Sequence, residues 1–291
     1  MEHFVFGNNQ PFQSCADMLR RGFEIGMTTG DTSAAFFNGA QYIQKAYFSG
    51  ANLLYLKEES AQQLTLIDKY SQSTAKMYTK LLHETICITI NKDDAPEFDN
   101  FSYVDEFSDS LIFNRAVQNF WLGRYERCIH YAEKASNLAA IGKLKSIMVH
   151  FYHGISWIKR KCRRTDVQKK VIMKSIEEIR AAAVESKWNY QNKLHLLEAE
   201  LYSSQQKKDQ AKMAYNAAIE YARASNFNHE QGLACELAGF HYKRLKEFET
   251  ALSFFSQAKE CYVKWGSQTK VGYITHHISI LPVSLEGSDA L

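Results

Sequence analysis

Apolar positions recur along this chain every three or four residues, almost from end to end. Runs such as Ala211, Tyr215 and Ala218, or Ala251, Phe255 and Ala258, put small and aromatic residues on one face of an α-helix. The pattern predicts helices at about 11–28, 31–49, 52–70, 72–90, 107–122, 124–140, 143–161, 167–186, 189–206, 208–225, 228–245, 247–264 and 267–280. The breaks carry terminator chemistry. Gly30 tolerates left-handed backbone directly before an Asp31 N-cap, and Gly123, Gly142 and Gly266 mark other ends. Helices of about 17 residues joined by very short turns imply antiparallel hairpins. Residues 91–109 break the rhythm with seven acids, Pro96 and no basic residue after Lys92. They read as a long loop, solvated connector or binding loop, that joins sub-arrays 1–90 and 107–281 across 91–106. Residues 282–291 read as a flexible tail.

A repeat underlies the periodicity. Gly239 and Tyr242 precede Ala251, Phe255 and Ala258, and each position has a counterpart 40 residues earlier in Ala199, Tyr202, Ala211, Tyr215 and Ala218. Ala116, Cys128, Ala132 and Ala135 form an earlier copy, and Gly39, Tyr42, Ala51 and Tyr55 an N-terminal one. A small residue on one helix lets the next approach, an aromatic fills the wedge, and further small residues admit the following hairpin. The expected fold is therefore all-α, an α-solenoid of about 13 helices, in one domain over 1–291.

This small–aromatic–small spacing resembles the tetratricopeptide repeat, from which it departs by a 40-residue rather than a 34-residue unit and by lacking the closing proline. A narrower likeness rests on Asn226-Phe227-Asn228-His229-Glu230, Ala234-Cys235-Glu236-Leu237-Ala238, and Cys261-Tyr262-Val263-Lys264-Trp265-Gly266 with Lys270-Val271. Gly22-Phe23-Glu24-Ile25-Gly26, Gly30-Asp31 and Tyr47-Phe48-Ser49-Gly50 with Leu53 extend it. These stretches, densest over 190–271 and present over 12–60, resemble the helical region of large signalling proteins between an AAA-type ATPase module and GAF, histidine kinase or cyclase modules. The resemblance implies a part of such a protein, or a stand-alone relative.

Composition agrees with helix. Alanine outnumbers valine 29 to 10 and only three prolines occur in 291 residues. The net charge of +3, from 35 basic and 32 acidic residues, gives no whole-chain reason for nucleic acid or membrane partners. Cysteines at 15, 87, 128, 162, 235 and 261 form no CxxC pair and read as free thiols. No stretch is apolar for the ~20 residues a membrane span needs, and the N-terminus lacks a basic region before an apolar core. A soluble, cytoplasmic protein is expected.

Chemistry-bearing motifs are sparse. Neither GxxxxGK[ST], GxGxxG nor GxSxG occurs, so no cofactor is expected. His83-Glu84-Thr85-Ile86-Cys87 approaches the HExxH zinc motif with cysteine in the second histidine's place and no identified third ligand. His150 and His153, His276 and His277, and His195 with Glu198 read as structural. Lys159, Arg160, Lys161, Arg163 and Arg164 form an anion-binding candidate, or serve as cations opposing a helix C-terminal dipole. The function implied is a non-catalytic scaffold for a protein or peptide partner or for neighbouring signalling modules. Lys193, Glu200, Glu236, Lys243 and Arg244 are the expected exposed residues of its groove. The alternatives are an all-helical enzyme with a scattered site and a phosphate or nucleic-acid binder working through 159–164.

Overall fold

The structure is a computed structural model that describes residues 10–94, 108–138, 142–160 and 165–282. Among the described residues there are thirteen α-helices and no strand: α1 (Phe12–Thr29), α2 (Thr32–Phe48), α3 (Leu53–Lys69), α4 (Ser73–Ile90), α5 (Ser108–Trp121), α6 (Tyr125–Ser136), α7 (Lys143–Lys159), α8 (Asp166–Glu185), α9 (Lys187–Ser204), α10 (Lys208–Ala224), α11 (Asn228–Arg244), α12 (Phe248–Trp265) and α13 (Gln268–Ser279). The all-α solenoid of helical hairpins is the architecture found. Most ends fall within two residues of expectation. α6 is shorter, stopping at Ser136 with Asn137 as its C-cap. Most of the acidic segment and the tail 283–291 lie outside the described residues, apart from a 3-10 turn at Lys92–Asp94.

Local chemistry sets the unit length. Left-handed backbone occurs at Gln206, Asn226, Lys246 and Gly266, 20 residues apart. After each, a backbone N–H reaches back across the helix end: Lys207 to Tyr202 O at 3.0 Å, Phe227 to Ala222 O at 2.9 Å, Glu247 to Tyr242 O at 3.0 Å and Ser267 to Tyr262 O at 3.1 Å. This is the Schellman closure, which satisfies the last carbonyls and turns the chain sharply. Helices of 17 or 18 residues with such turns give a 40-residue hairpin.

The repeated small residues make the close contacts expected of them. Ala251, Phe255 and Ala258 are fully buried, as are Ala199, Ala211 and Tyr215. A Cβ on Gly239 would lie 2.5 Å from the Phe255 ring, so glycine is what lets α12 lie against α11.

The hairpins are α1/α2, α3/α4, α5/α6, α7/α8, α9/α10 and α11/α12, and an inner row runs through α2, α4, α5, α7, α9 and α11. The N-terminal register therefore needs correction. Gly39, Tyr42, Ala51 and Tyr55 imply that α2 opens a unit closed by α3, whereas α2 closes the hairpin begun by α1 and Tyr55 stays 40% exposed. Even-numbered helices are inner before the acidic segment and odd-numbered ones after it. The small–aromatic code marks close helix contact without saying which helix begins the unit.

The array also closes on itself. Ser267 Oγ donates to Thr89 O at 2.6 Å, Lys92 N–H to Thr269 Oγ1 at 2.8 Å, and Asn52 Nδ2 to Lys264 O at 3.0 Å. The α2–α3 corner pushes into the middle, where Trp121 and Trp265 rings lie 4.7 Å apart and Tyr47 and His229 flank Trp265 at 6.2 and 5.2 Å. Gly50, with φ +78, passes so close that a Cβ would sit 2.5 Å from His229 Nδ1.

Candidate functional site

The inner faces of α9 and α11 carry most of the charged residues expected in a groove, and the structure buries them. Lys193, Glu200 and Glu236 are at most 3% exposed, which corrects the expectation that they line an open surface. They face neighbouring helices and are used there. Lys193 Nζ donates to Glu230 at 2.7 Å and to Asn189 O at 2.6 Å. Glu236 accepts from Tyr262 Oη at 2.6 Å and pairs with Lys270 at 2.6 Å, while Glu200 accepts from Tyr215 and lies 3.6 Å from Lys159. Each glutamate thus takes a phenol from its own hairpin and an ammonium from a helix outside that hairpin, which is how buried carboxylates are tolerated. Burial pushes the Lys193 ammonium down, with Glu230 opposing. Burial, and then the adjacent glutamate charge, raises the Tyr215 and Tyr262 phenols and keeps them as donors. Lys243 is half-buried, and Arg244, at the α11 terminus, donates to Ser203 Oγ.

The same face holds a length of chain from the other end of the protein. Phe12 N–H donates to Asn189 Oδ1 at 3.1 Å, and Asn189 Nδ2 donates to Gln10 O at 2.8 Å, so one side-chain amide grips the backbone from both sides. Pro11, with φ −53 and ψ 139, is extended directly before α1. The Phe12 ring, fully buried, meets Tyr190 edge-on at 5.8 Å and stacks with Phe227 at 6.0 Å, with Lys45 and Lys193 amines 5.0 and 5.9 Å from its centre. Gln13 Nε2 donates to Ser225 O at 2.9 Å. Tyr190 Oη, on the same wall, makes no hydrogen bond among the described residues. Asn189, Tyr190 and Phe227 escaped sequence reasoning, because nothing local marks a partner 177 residues away.

The basic cluster is divided. Lys159 serves Glu200 and lies 5.5 Å from the Phe240 ring, and Arg160 Nε donates to Glu126 at 2.7 Å. Lys161, Arg163 and Arg164 lie outside the described residues. His83 Nδ1 lies 2.7 Å from Ser60 Oγ and its Nε2 3.6 Å from Cys87 Sγ. Among the described residues no three His, Cys, Asp or Glu side chains are grouped to hold a metal ion. His153 Nε2 accepts from Trp157 Nε1 at 2.8 Å, which requires a neutral ring, and burial holds its pKa at about 4. Cys15, Cys87, Cys128, Cys235 and Cys261 form no disulfide among the described residues; burial drives Cys128 and Cys235 up to about 12. No described helix is long and apolar enough to cross a membrane.

No protein-family model matches the chain, and no curated protein matches it either. Fold and site together define an all-helical array of stacked hairpins whose inner face holds the Gln10–Phe12 stretch at the start of α1.

Proposed function

We propose that this chain is a non-catalytic helical-repeat scaffold that recognises an extended segment of a partner protein on the inner face of α9 and α11. The observation that carries this reading is the grip of Asn189 on the backbone of Gln10 and Phe12. A two-sided backbone clamp accepts many sequences, while the aromatic and cationic box around Phe12 selects an aromatic side chain. Gln10–Phe12 is thus an internal copy of the ligand, and a partner segment of similar chemistry competes with it. The likeness of 190–271 to the helical region of multidomain signalling proteins supports a role in coupling signalling modules.

The test uses the full chain with Phe12→Ala, which weakens the internal copy, and a fluorescent peptide of residues 7–20. Saturable binding by anisotropy, lost when Asn189→Ala is added, is the expected result. No saturable binding, or binding indifferent to Asn189→Ala, overturns the reading. Circular dichroism checks the fold. If Phe12→Ala fails to fold, Gln13→Ala replaces it, because that change removes only the bond to Ser225 O.

A further inference from the structure

Three buried or half-buried lysines of this array have glutamate partners, whereas Lys145 faces a cavity without one. Lys193 pairs with Glu230, Lys270 with Glu236, and Lys159 with Glu200. Lys145, on α7, has no carboxylate within ion-pairing distance among the described residues, and Asp109 acts on it only from farther away. Its amine donates to Ser110 Oγ at 2.8 Å and lies 5.9 and 5.8 Å from the Tyr78 and Phe113 ring centres. An ammonium carries three N–H donors, and Ser110 takes one.

The cavity beside it lies among α2, α4, α5 and α7, has a volume of ≈ 20 Å³, and is walled chiefly by Gln41, Gln44, Tyr78, Ser110, Asn114 and Lys145. Asn114 is fixed as a wall, its Nδ2 donating to Ser110 O at 2.8 Å and its Oδ1 accepting from Thr85 at 3.2 Å. Gln41, Gln44 and Tyr78 bring neutral donors, so no lining side chain supplies a negative charge. The volume suits one or two water-sized groups, far below the ~300 Å³ or more of a substrate pocket. Burial also pushes the Lys145 ammonium down, as expected of a charge short of compensation.

We propose that this cavity is a carboxylate-binding site, in which the head group of a small monocarboxylic acid or of a peptide C-terminus meets Lys145 as glutamates meet Lys159, Lys193 and Lys270. Only the head group enters, and the rest of the ligand stays outside. The proposal is independent of the peptide reading at Asn189.

Amine labelling of the full wild-type chain, read by mass spectrometry, tests it. Lys145 is compared with exposed Lys212 in sodium acetate, in Ala-Ala-Ala free acid, in its C-terminal amide, and in sodium chloride of equal ionic strength. At a ligand concentration about five times its dissociation constant, Lys145 labelling should slow about sixfold, in step with the unoccupied fraction, with Lys212 unchanged. Protection by acetate alone identifies a small free acid as the ligand source, and protection by the tripeptide acid identifies a chain terminus. Calorimetric binding of the protecting acid should disappear in Lys145→Met. Equal protection by chloride or by the amide, protection by neither acid, or undiminished binding to a folded Lys145→Met would overturn the proposal.

Discussion

Two helical glycines should respond to alanine in opposite directions. In a helix interior Gly→Ala alone gains about 1 kcal/mol, because glycine has more backbone freedom to lose. Gly272, on α13, is exposed and a Cβ there would meet nothing within 4 Å, so Gly272→Ala should realise that gain. At Gly239 the new Cβ would stand 2.5 Å from Phe255 Cδ1 and Cε1, where ordinary carbon contacts are about 3.5–4.0 Å. The ring or the helix must move by about 1 Å. The ring has little freedom, being fully buried, edge-on to Phe240 at 5.0 Å and stacked on His277 at 6.2 Å. Overpacking of this kind costs about 1–3 kcal/mol, so Gly239→Ala should destabilise by up to about 2 kcal/mol. Phe255→Leu removes the clashing edge, and on that background Gly239→Ala should recover most of its propensity gain. Urea midpoints at constant m report the net change, and hydrogen exchange should confine the Gly239 effect to α11 and α12. If Gly239→Ala stabilises as much as Gly272→Ala, the α11–α12 contact is not held apart by a missing Cβ and the packing argument fails.

Lys193→Met leaves Glu230 buried without its cation and should cost about 3–5 kcal/mol, whereas Lys193→Met with Glu230→Met should restore most of it; a double variant as unstable as the single contradicts the pairing. Lys246 holds left-handed backbone at φ 63, so Lys246→Gly should raise stability by up to about 1 kcal/mol, and Asn226→Gly by less because asparagine tolerates that region. Equal or negative shifts in thermal melting would refute this. His153 stays neutral in the fold down to about 4, while the unfolded chain takes up a proton near 6.5. Its contribution is therefore complete above about pH 6.5 and lost as pH falls towards 4, roughly 3 kcal/mol in all. His153→Gln should flatten that part of the urea-midpoint profile, and an unchanged acid limb would count against the assignment.

The thirteen helices and their 40-residue unit were legible in the sequence because both come from neighbours in the chain. Period 3.6 patterning, small residues three or four apart and short turns act over a single helix or corner. The turn residues themselves, Gln206 and Lys246, carried no signal, since only glycine and asparagine advertise left-handed backbone. The site depended on contacts the chain makes far from itself. Lys193, Glu200 and Glu236 look like solvent-facing charges until α7, α11, α12 and α13 bring their partners, and Asn189 meets Gln10 and Phe12 from the other end. α11 is buried around most of its circumference, through His229, Glu230, Glu236 and His241 as well as Leu233 and Leu237, so the usual division into polar outside and apolar inside fails there. Periodicity finds a helix with one buried face. A helix enclosed around most of its circumference buries polar and apolar positions alike, and which of them is satisfied is decided only when the array closes.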